Sequence, residues 1–482
     1  MAQSYSTADF SGEMPSPRLG NDHIPESSGF SEEMVESIGN DLPLPFVSRI
    51  QSHRLYDDSS TIPIERLAQI LDRDLDRRII QVSTYIADTL FPDEAFGFPL
   101  TASFAMNFTS AFLSQDGGLN ASNFANDKRT ATFLNRMVTT MARSLQSSGQ
   151  SSLSPLRYFS SLNSTKPLEG DSSLKPDVTL VRLIDGCTHE GNLRWRDVQA
   201  IIEHTREKKP PARMPKTVNL KTYSMFCSQP ERDFVVCLCI MHDGFHIVVS
   251  THAAQFETDV IGFGPNSNIP FLRMVMGMAF LSDDRIGIDT TMIRRCDLTL
   301  SSGKKLEDLY QPFPARSSIP QPLTFTIPIA SPELAVIYTL AEEGFDKDFS
   351  HIKVDNRSYK VIRLLFCSQA LIGRATKTFL VEFPDGTRGI LKDSWGIDGM
   401  QSEAEFIRDL DIPFGPSLID THSLRTTRPF QSCILTDLLP GQIINECRVK
   451  RRVVTSPAGV HISDFSCLWE LMVAFLDVVI GI

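Results

Sequence analysis

The amino-acid sequence predicts an α+β protein with several domains. Three patterns carry this prediction: apolar residues at helical spacing at 64–145, strand-like apolar runs at 178–184 and 234–249, and a hairpin followed by a helix at 371–410. The chain has 482 residues, of which 41% are hydrophobic and 22% charged, enough for two or three cores. We therefore expect a helical segment, an α/β domain and a smaller lobe of strands and helix, in that order.

Composition and charge narrow the possible partners. A formal net charge of −11 opposes non-specific binding to nucleic acid or to an anionic membrane, so neither is an expected partner. The first residues lack the basic start and apolar core of a secretory signal, and the nine cysteines stand mostly in apolar runs, as buried reduced thiols do. We expect an intracellular protein, cytoplasmic or nuclear, without a membrane span.

The N-terminal third divides into a disordered segment and a helical module. Residues 1–60 are rich in serine, proline and acidic side chains, which favours disorder. At 61–165 the apolar residues from Ile64 to Leu90 recur every three or four positions after Pro63, which predicts one long amphipathic helix. Positions 133–145 predict a second helix, and the serine-rich stretch at 144–155 predicts a linker with a boundary near residue 165.

Two carboxylates lie at the ends of strands that are predicted in the next segment, residues 166–300. Asp177 precedes the run 178–184, and Glu203 ends the run 198–203. This placement resembles the PD-(D/E)XK nucleases, which hold magnesium on two such carboxylates with a lysine beside the attacked phosphate. Thr205 stands at the lysine position here, so we expect a nuclease-like α/β domain with lost or altered activity. Asp177 and Glu203 are candidate magnesium ligands, or they simply cap strands.

The most informative run is LIGRATKTFLVEFPDGTRGILKDSWGIDGMQSEAEFIRDL at 371–410. It predicts two strands around a Pro-Asp-Gly turn, with Lys392 at the end of the second strand, and then an amphipathic helix. A kinase needs one lysine on such a strand to contact the nucleotide phosphates and one helix glutamate to hold that lysine. Glu403 is our first choice for that glutamate and Glu405 the second, with Phe406 facing the sheet.

The segments LIGRAT, ILKDSW and SEAEFIRDL, together with KPDVTLVRL and DVQAIIEHT upstream, resemble the fungal-type protein kinase family over roughly residues 166–482. The resemblance implies ATP-dependent phosphorylation of protein hydroxyls with magnesium, so nucleotide and protein substrates are the implied partners. It implies that Gly373, Arg374, Ala375 and Thr376 form a turn whose backbone N–H groups face the phosphates. Residues 413–420 and 432–441 resemble the strands before the hinge, with Asp437, Leu438 and Leu439 lining the adenine pocket.

The chemistry of phosphoryl transfer is incomplete in this sequence. It contains neither a His-Arg-Asp nor an Asp-Phe-Gly triplet, and it ends at Ile482, soon after a segment at 469–479 that resembles the first helix of the larger lobe. We therefore expect residues 301–482 to form an incomplete kinase-like domain, inactive alone. Three interpretations stay open: a truncated kinase, a kinase-like nucleotide-binding or scaffold protein, and a metal-dependent nuclease at 166–300.

Overall fold

The computed structural model describes residues 64–101, 104, 121–147, 153–164, 174–184, 188, 193–207, 213–264, 268–295, 338–339, 349–368, 370–410, 415–435, 446–459 and 472. The disorder predicted for residues 1–60 lies outside these ranges. The described chain is a mixture of helices and two large sheets, which confirms the α+β class.

The first sheet has eight strands in the order β1-β7-β6-β5-β4-β3-β2, with β8 paired to β6. Its strands are β1 Ile79–Val82, β2 Arg157–Ser160, β3 Val178–Arg182, β4 Val198–His204, β5 Phe234–Ile240, β6 Gly244–Thr251, β7 Gln255–Thr258 and β8 Ile261–Gly262. The predicted hairpin is present as the antiparallel pair β5 and β6, and both of these strands are buried along their whole length. Strands β4 and β5 are parallel, so the chain must cross over between them, and it does so through a helix.

The helices that accompany this sheet come before, between and after its strands. They are α1 Ile64–Asp74, α2 Ile86–Leu90, α3 Asp93–Phe96, α4 Asp127–Ser147, α5 Arg213–Ser228 and α6 Asn268–Phe280. Helix α4 confirms the second predicted helix, and α5 is the crossover between β4 and β5. We call this sheet with its helices the α/β module. Its core is one continuous apolar cluster, in which Phe91 fills the space left by Gly277 of α6.

The single long helix predicted from residue 63 is wrong. Helix α1 ends at Asp74, Arg77 adopts a positive φ of 58°, and residues 79–82 form a strand that pairs in parallel with β7. The spacing of apolar residues fits a helix, but Ile79, Ile80 and Val82 are β-branched and are stabilised by pairing with a strand about 175 residues away, as the Ile79↔Gln255 register shows. Tertiary pairing therefore overrides the local pattern.

The second sheet also has eight strands, in the order β10-β9-β11-β12-β13-β14-β16-β15. They are β9 Met292–Arg295, β10 Tyr338–Thr339, β11 Phe349–Val354, β12 Arg357–Cys367, β13 Lys377–Glu382, β14 Arg388–Ile397, β15 Ser417–Thr426 and β16 Arg448–Ser456. Helix α7, Glu403–Leu410, stands between β14 and β15 in the chain, and the short α8, Arg428–Gln431, follows β15. The predicted hairpin and helix at 371–410 are thus β13, β14 and α7.

The two sheets draw on residues from both sides of the predicted domain limits. Strands β1 and β2 come from the predicted helical module at 61–165 and pair with strands of the segment 166–300. Strand β9 precedes residue 300 yet pairs with β11 of the second sheet. The subdivision into a nuclease-like domain and a kinase lobe stays a prediction.

Candidate functional site

Strand β14 divides its side chains between two environments. Leu391 and Asp393 are buried on one face, whereas Lys392 lies on the other face and remains partly exposed. Lys392 Nζ lies 2.9 Å from Oε1 and 2.7 Å from Oε2 of Glu403 on α7. The structure therefore brings together the lysine and the glutamate that the sequence singles out.

The start of α7 explains why Glu403 rather than Glu405 meets the lysine. Ser402 precedes the helix, and its hydroxyl accepts a hydrogen bond from the backbone N–H of Glu405 at 3.2 Å. The Glu405 carboxylate in turn accepts one from the backbone N–H of Ser402 at 2.5 Å. This reciprocal capping box engages Glu405 at the helix terminus and leaves Glu403 to face β14. Phe406 is 53% exposed, so its predicted packing against the sheet is wrong, whereas Ala404 of the same helix is buried.

A cavity of about 600 Å³ opens beside this ion pair. Its lining includes four basic residues, namely Arg374, Lys392, Arg448 and Arg451. Arg374 Nη2 lies 3.7 Å from Glu403 Oε2, so this one carboxylate is shared by two cations. The excess of positive charge suits an anionic ligand such as a phosphate group.

The turn at residues 371–376, for which the resemblance implies a contact with phosphates, is partly engaged within the protein. The backbone N–H of Gly373 donates to the carbonyl of His252 at 2.9 Å, so it is engaged within the protein. Gly373 has a φ of 133° and Ala375 one of 41°, and Ala375 is buried. Among these residues, Arg374 reaches the cavity with its side chain. The N–H of Gly373 is therefore paired within the protein in this geometry, and its contact with an anion stays a prediction.

His252 also contacts the turn at residues 371–376 through its side chain. Its Nδ1 lies 3.1 Å from the carbonyl oxygen of Leu371, which requires the Nδ1–H tautomer as donor. Its ring packs against those of Phe226 and Trp395. Burial, assisted by the positive charge of Lys377, lowers the pKa of His252 to about 3, so the ring is neutral at physiological pH.

The hinge strands are only partly where the sequence places them. Strand β15 matches the first of the two, but residues 432–435 form no strand, and Ile434 makes an isolated bridge with Val82. On the side away from β13, strand β14 pairs with β16, whose basic sequence RVKRRVVTS is typical of a solvent-exposed strand. Its Lys450 and Arg452 are buried because acidic partners surround them. Asp437, Leu438 and Leu439 lie outside the described residues.

Three aspartates surround these two cations. The five side chains form what we call the buried ion cluster: Asp233, Asp289, Asp393, Lys450 and Arg452. Lys450 Nζ lies 2.8 Å from Asp233 Oδ1 and 2.5 Å from Asp289 Oδ2. Arg452 donates to both oxygens of Asp393 and to Asp289. Although burial opposes it, the positive charge of Lys450 and Arg452 holds the pKa of Asp289 well below its ordinary value. Sequence analysis missed this cluster, although Asp393 directly follows Lys392.

The candidate magnesium ligands are Asp177, directly before β3, and Glu203, near the end of β4, and a cation from α5 lies beside Glu203. Lys221 Nζ lies 2.5 Å from Glu203 Oε1, and both side chains are almost fully buried. Asp177 accepts a hydrogen bond from the backbone N–H of His204 at 2.8 Å. Burial raises the pKa of Glu203 to about 7, against the effect of Lys221, and it also raises that of Asp177. Across the part of the chain that the structure describes, no three His, Cys, Asp or Glu side chains cluster as metal ligands would.

Comparison with known families gives one match. Residues 175–412 match the model of the family Fungal protein kinase. The match covers just under half of the chain and supports a relationship with the fungal-type protein kinases, as the residues around Lys392 indicate. It begins within the α/β module, before β3, and continues through β14 and α7, so it includes Asp177, Glu203, Lys392 and Glu403. No curated protein and no solved structure matches the chain.

None of the helices in the described ranges is long and apolar enough to cross a membrane.

Proposed function

We propose that the cavity beside Lys392 and Glu403 binds the phosphates of ATP. The observation that carries the proposal is the ion pair between Lys392 Nζ and both oxygens of Glu403, at 2.9 and 2.7 Å, at the wall of a cavity of about 600 Å³. A lysine held in this way is the phosphate-binding element of protein kinases. The family match through residue 412 supports the same assignment.

The residues that line the cavity fit the polyphosphate chain of a nucleotide. Lys392 and Arg451 lie on one face of neighbouring strands, since Lys392 pairs with Val453 and Arg451 pairs with Ser394. Such diagonal positions place two long side chains within reach of one ligand. Lys392 and Arg374 both lie near the carboxylate of Glu403, and Arg451 lines the same cavity. Bound ATP would supply the phosphoryl donor of the kinase reaction, while these residues would bind and orient its phosphates.

Two segments are candidates for the contact with the adenine base. Asp437, Leu438 and Leu439 are the residues that the sequence suggests for it. Strand β16 offers an alternative, because it lies directly beside β14 and its Val453 lines the cavity opposite Lys392. An adenine base bound beyond the C-terminal end of β16 would contact residues 456–459.

Magnesium has no equally supported set of ligands among the described residues. The carboxylate of Glu403 is engaged by Lys392 and Arg374, and Glu203 is paired with Lys221. These two glutamates therefore do not offer a free carboxylate to magnesium in this structure.

The test is direct binding of ATP to the full chain, measured by calorimetry. Lys392→Ala should weaken binding at least about tenfold, or ~1.4 kcal/mol, because it removes the phosphate contact. Lys360→Ala is the matched control, since Lys360 lies on β12 of the same sheet but does not line the cavity. Equal affinity of the two variants, or no ATP binding by the unaltered chain, would reject the proposal.

Phosphorylation of protein hydroxyls is the activity that the family relationship implies, and it calls for a separate assay. Transfer of labelled γ-phosphate to a protein substrate, abolished by Lys392→Ala, would indicate a phosphotransferase. Binding without transfer would favour a nucleotide-binding or scaffold protein, because the sequence has neither a His-Arg-Asp nor an Asp-Phe-Gly triplet.

A further inference from the structure

The α/β module contacts the lysine-bearing sheet through the buried ion cluster. Asp289 belongs to a segment that is tied to the module, because its backbone N–H donates to the carbonyl of Glu231 at 2.8 Å. The Oδ2 of Asp289 lies 3.0 Å from Arg452 Nη2. Arg452 in turn donates to Asp393, from Nε to Oδ1 at 2.6 Å and from Nη2 to Oδ2 at 2.7 Å. The side chains of Asp289, Asp393 and Arg452 are at most 5% exposed. A continuous chain of charge-assisted hydrogen bonds thus runs from the module to the residue that follows Lys392.

A second contact joins the module to the turn at 371–376. His252 follows β6 of the module; its ring nitrogen donates to Leu371, and its carbonyl accepts from Gly373. Leu371 is fully buried and belongs to the apolar core of the module rather than to that of the second sheet. The backbone N–H of Trp395 on β14 donates to the carbonyl of Arg374 at 2.7 Å, so this turn also abuts the end of the lysine strand.

We propose that the α/β module positions the site at Lys392 from the opposite face of the sheet, with Asp289 and His252 as its positioning residues. Asp289 would hold β14 through Arg452 and Asp393, and His252 would hold the turn that carries Arg374. The proposal rests on the proposed binding of ATP, which it extends by assigning a role to the α/β module.

The alternation of β14 is the physical reason why the cluster affects Lys392. Successive side chains of a strand point to opposite faces, so a fixed Asp393 directs Lys392 to the cavity face. The register Asp393↔Arg452 and Lys392↔Val453 places the ion pair one residue from the site. Buried ion pairs add little net stability, because desolvation offsets most of their attraction, and we infer that this cluster serves to define the geometry of β14. A displacement of about 1 Å in a positioning element is enough to change affinity or rate strongly.

The extent of the family match agrees with this role. One continuous model spans residues 175–412, which include Asp233, His252, Asp289, Lys392 and Asp393. The part of the module from β3 onward and the lysine strand therefore occur together in what that model describes, whereas Lys450 and Arg452 lie after its last matched residue.

The test compares two variants of buried aspartates in the full chain. Asp289→Asn removes the charge that faces Arg452 and Lys450, without touching the cavity. Asp283→Asn is the matched control, because Asp283 is equally buried and pairs with Arg157 and Arg182 inside the module. ATP affinity is measured by calorimetry below the onset of unfolding of each variant, and the exchange of backbone amides at 390–396 is measured by mass spectrometry.

We expect Asp289→Asn to weaken ATP binding about tenfold and to speed exchange at 390–396, while Asp283→Asn lowers the melting temperature with unchanged affinity and exchange there. A second variant, His252→Ala, should speed exchange at 371–376. Equal effects of the two aspartate variants on both measurements would overturn the proposal. If the unaltered chain binds no ATP, the proposed function fails, and exchange alone then decides whether the module positions β14.

Discussion

Arg452 grips the carboxylate of Asp393 with two parallel hydrogen bonds, Nε to Oδ1 at 2.6 Å and Nη2 to Oδ2 at 2.7 Å. This bidentate geometry is the strongest arrangement open to an arginine and a carboxylate. Both side chains are buried, and Asp393 directly follows Lys392. The interior of the protein therefore fixes the strand that carries the candidate phosphate contact.

Arg452→Met should destabilise the protein by about 3–5 kcal/mol, because it leaves Asp393 and Asp289 buried without this partner. The free energy of unfolding is measured by denaturant titration. Arg357→Met is the control, since Arg357 is largely exposed on β12 of the same sheet and should change stability by less than about 0.5 kcal/mol. A loss below about 1 kcal/mol for Arg452→Met would show that the cluster is not held as described.

His252 should make stability depend on pH below neutrality. Its pKa falls from 6.5 to about 3 on burial, so between these values the unfolded chain binds a proton that the folded chain does not. The contribution of the neutral His252 to stability is therefore complete above about pH 6.5 and is lost as the pH falls, at ~1.4 kcal/mol per unit, or about 2 kcal/mol by pH 5; it adds to the contribution of Glu203, which has the opposite sign. In His252→Gln this loss should disappear, because glutamine does not titrate.

The measurement is the free energy of unfolding of both proteins at pH 5 and pH 7. His242→Gln serves as the control, because the His242 side chain is half exposed in the turn between β5 and β6. His252 is faced by the rings of Phe226 and Trp395, by the backbone of Leu371 and Arg232, and by the charges of Lys377 and Lys450, and all of these are left unchanged. If His252→Gln keeps the full dependence on pH, the buried neutral ring is not its source.

Lys221→Met should destabilise the protein more at pH 8 than at pH 5. The variant leaves Glu203 buried without its cation, and burial already raises the pKa of Glu203 to about 7. Glu203 accepts a proton at pH 5 and thereby avoids an unpaired charge, whereas at pH 8 the cost should reach about 3 kcal/mol. Thermal unfolding at the two pH values checks this, and an equal loss at both would contradict the charged pair.

Magnesium provides a second measurement on the same pair. Because the carboxylate of Glu203 is already paired with Lys221, we expect added magnesium to leave the melting temperature of the unaltered chain unchanged. A rise that is lost in Asp177→Ala, together with metal-dependent nicking of DNA, would instead favour the nuclease interpretation.

Local patterns in the sequence, together with what a kinase needs beside its strand lysine, were enough to predict that Lys392 meets Glu403. Lys392 and Glu403 are eleven positions apart on a hairpin strand and the helix after it, and a capping box fixes the helix start. The buried ion cluster could not be predicted from local patterns, because Lys450 and Asp289 are 161 positions apart in the sequence. Basic residues on β16 predict a surface strand until the acidic partners are known. Strand β1 was likewise predicted as helix, because the strand that stabilises it, β7, is distant in the sequence.

The most direct test of the account is a double-mutant cycle on ATP affinity with Lys392→Met, Glu403→Gln and the two combined. If Glu403 holds Lys392 for the phosphates, each single variant weakens binding, and the double variant is no worse than Lys392→Met, with a coupling of about 1 kcal/mol or more. Additive losses, or single variants that bind ATP as tightly as the unaltered chain, would contradict the assignment of this pair as the nucleotide site.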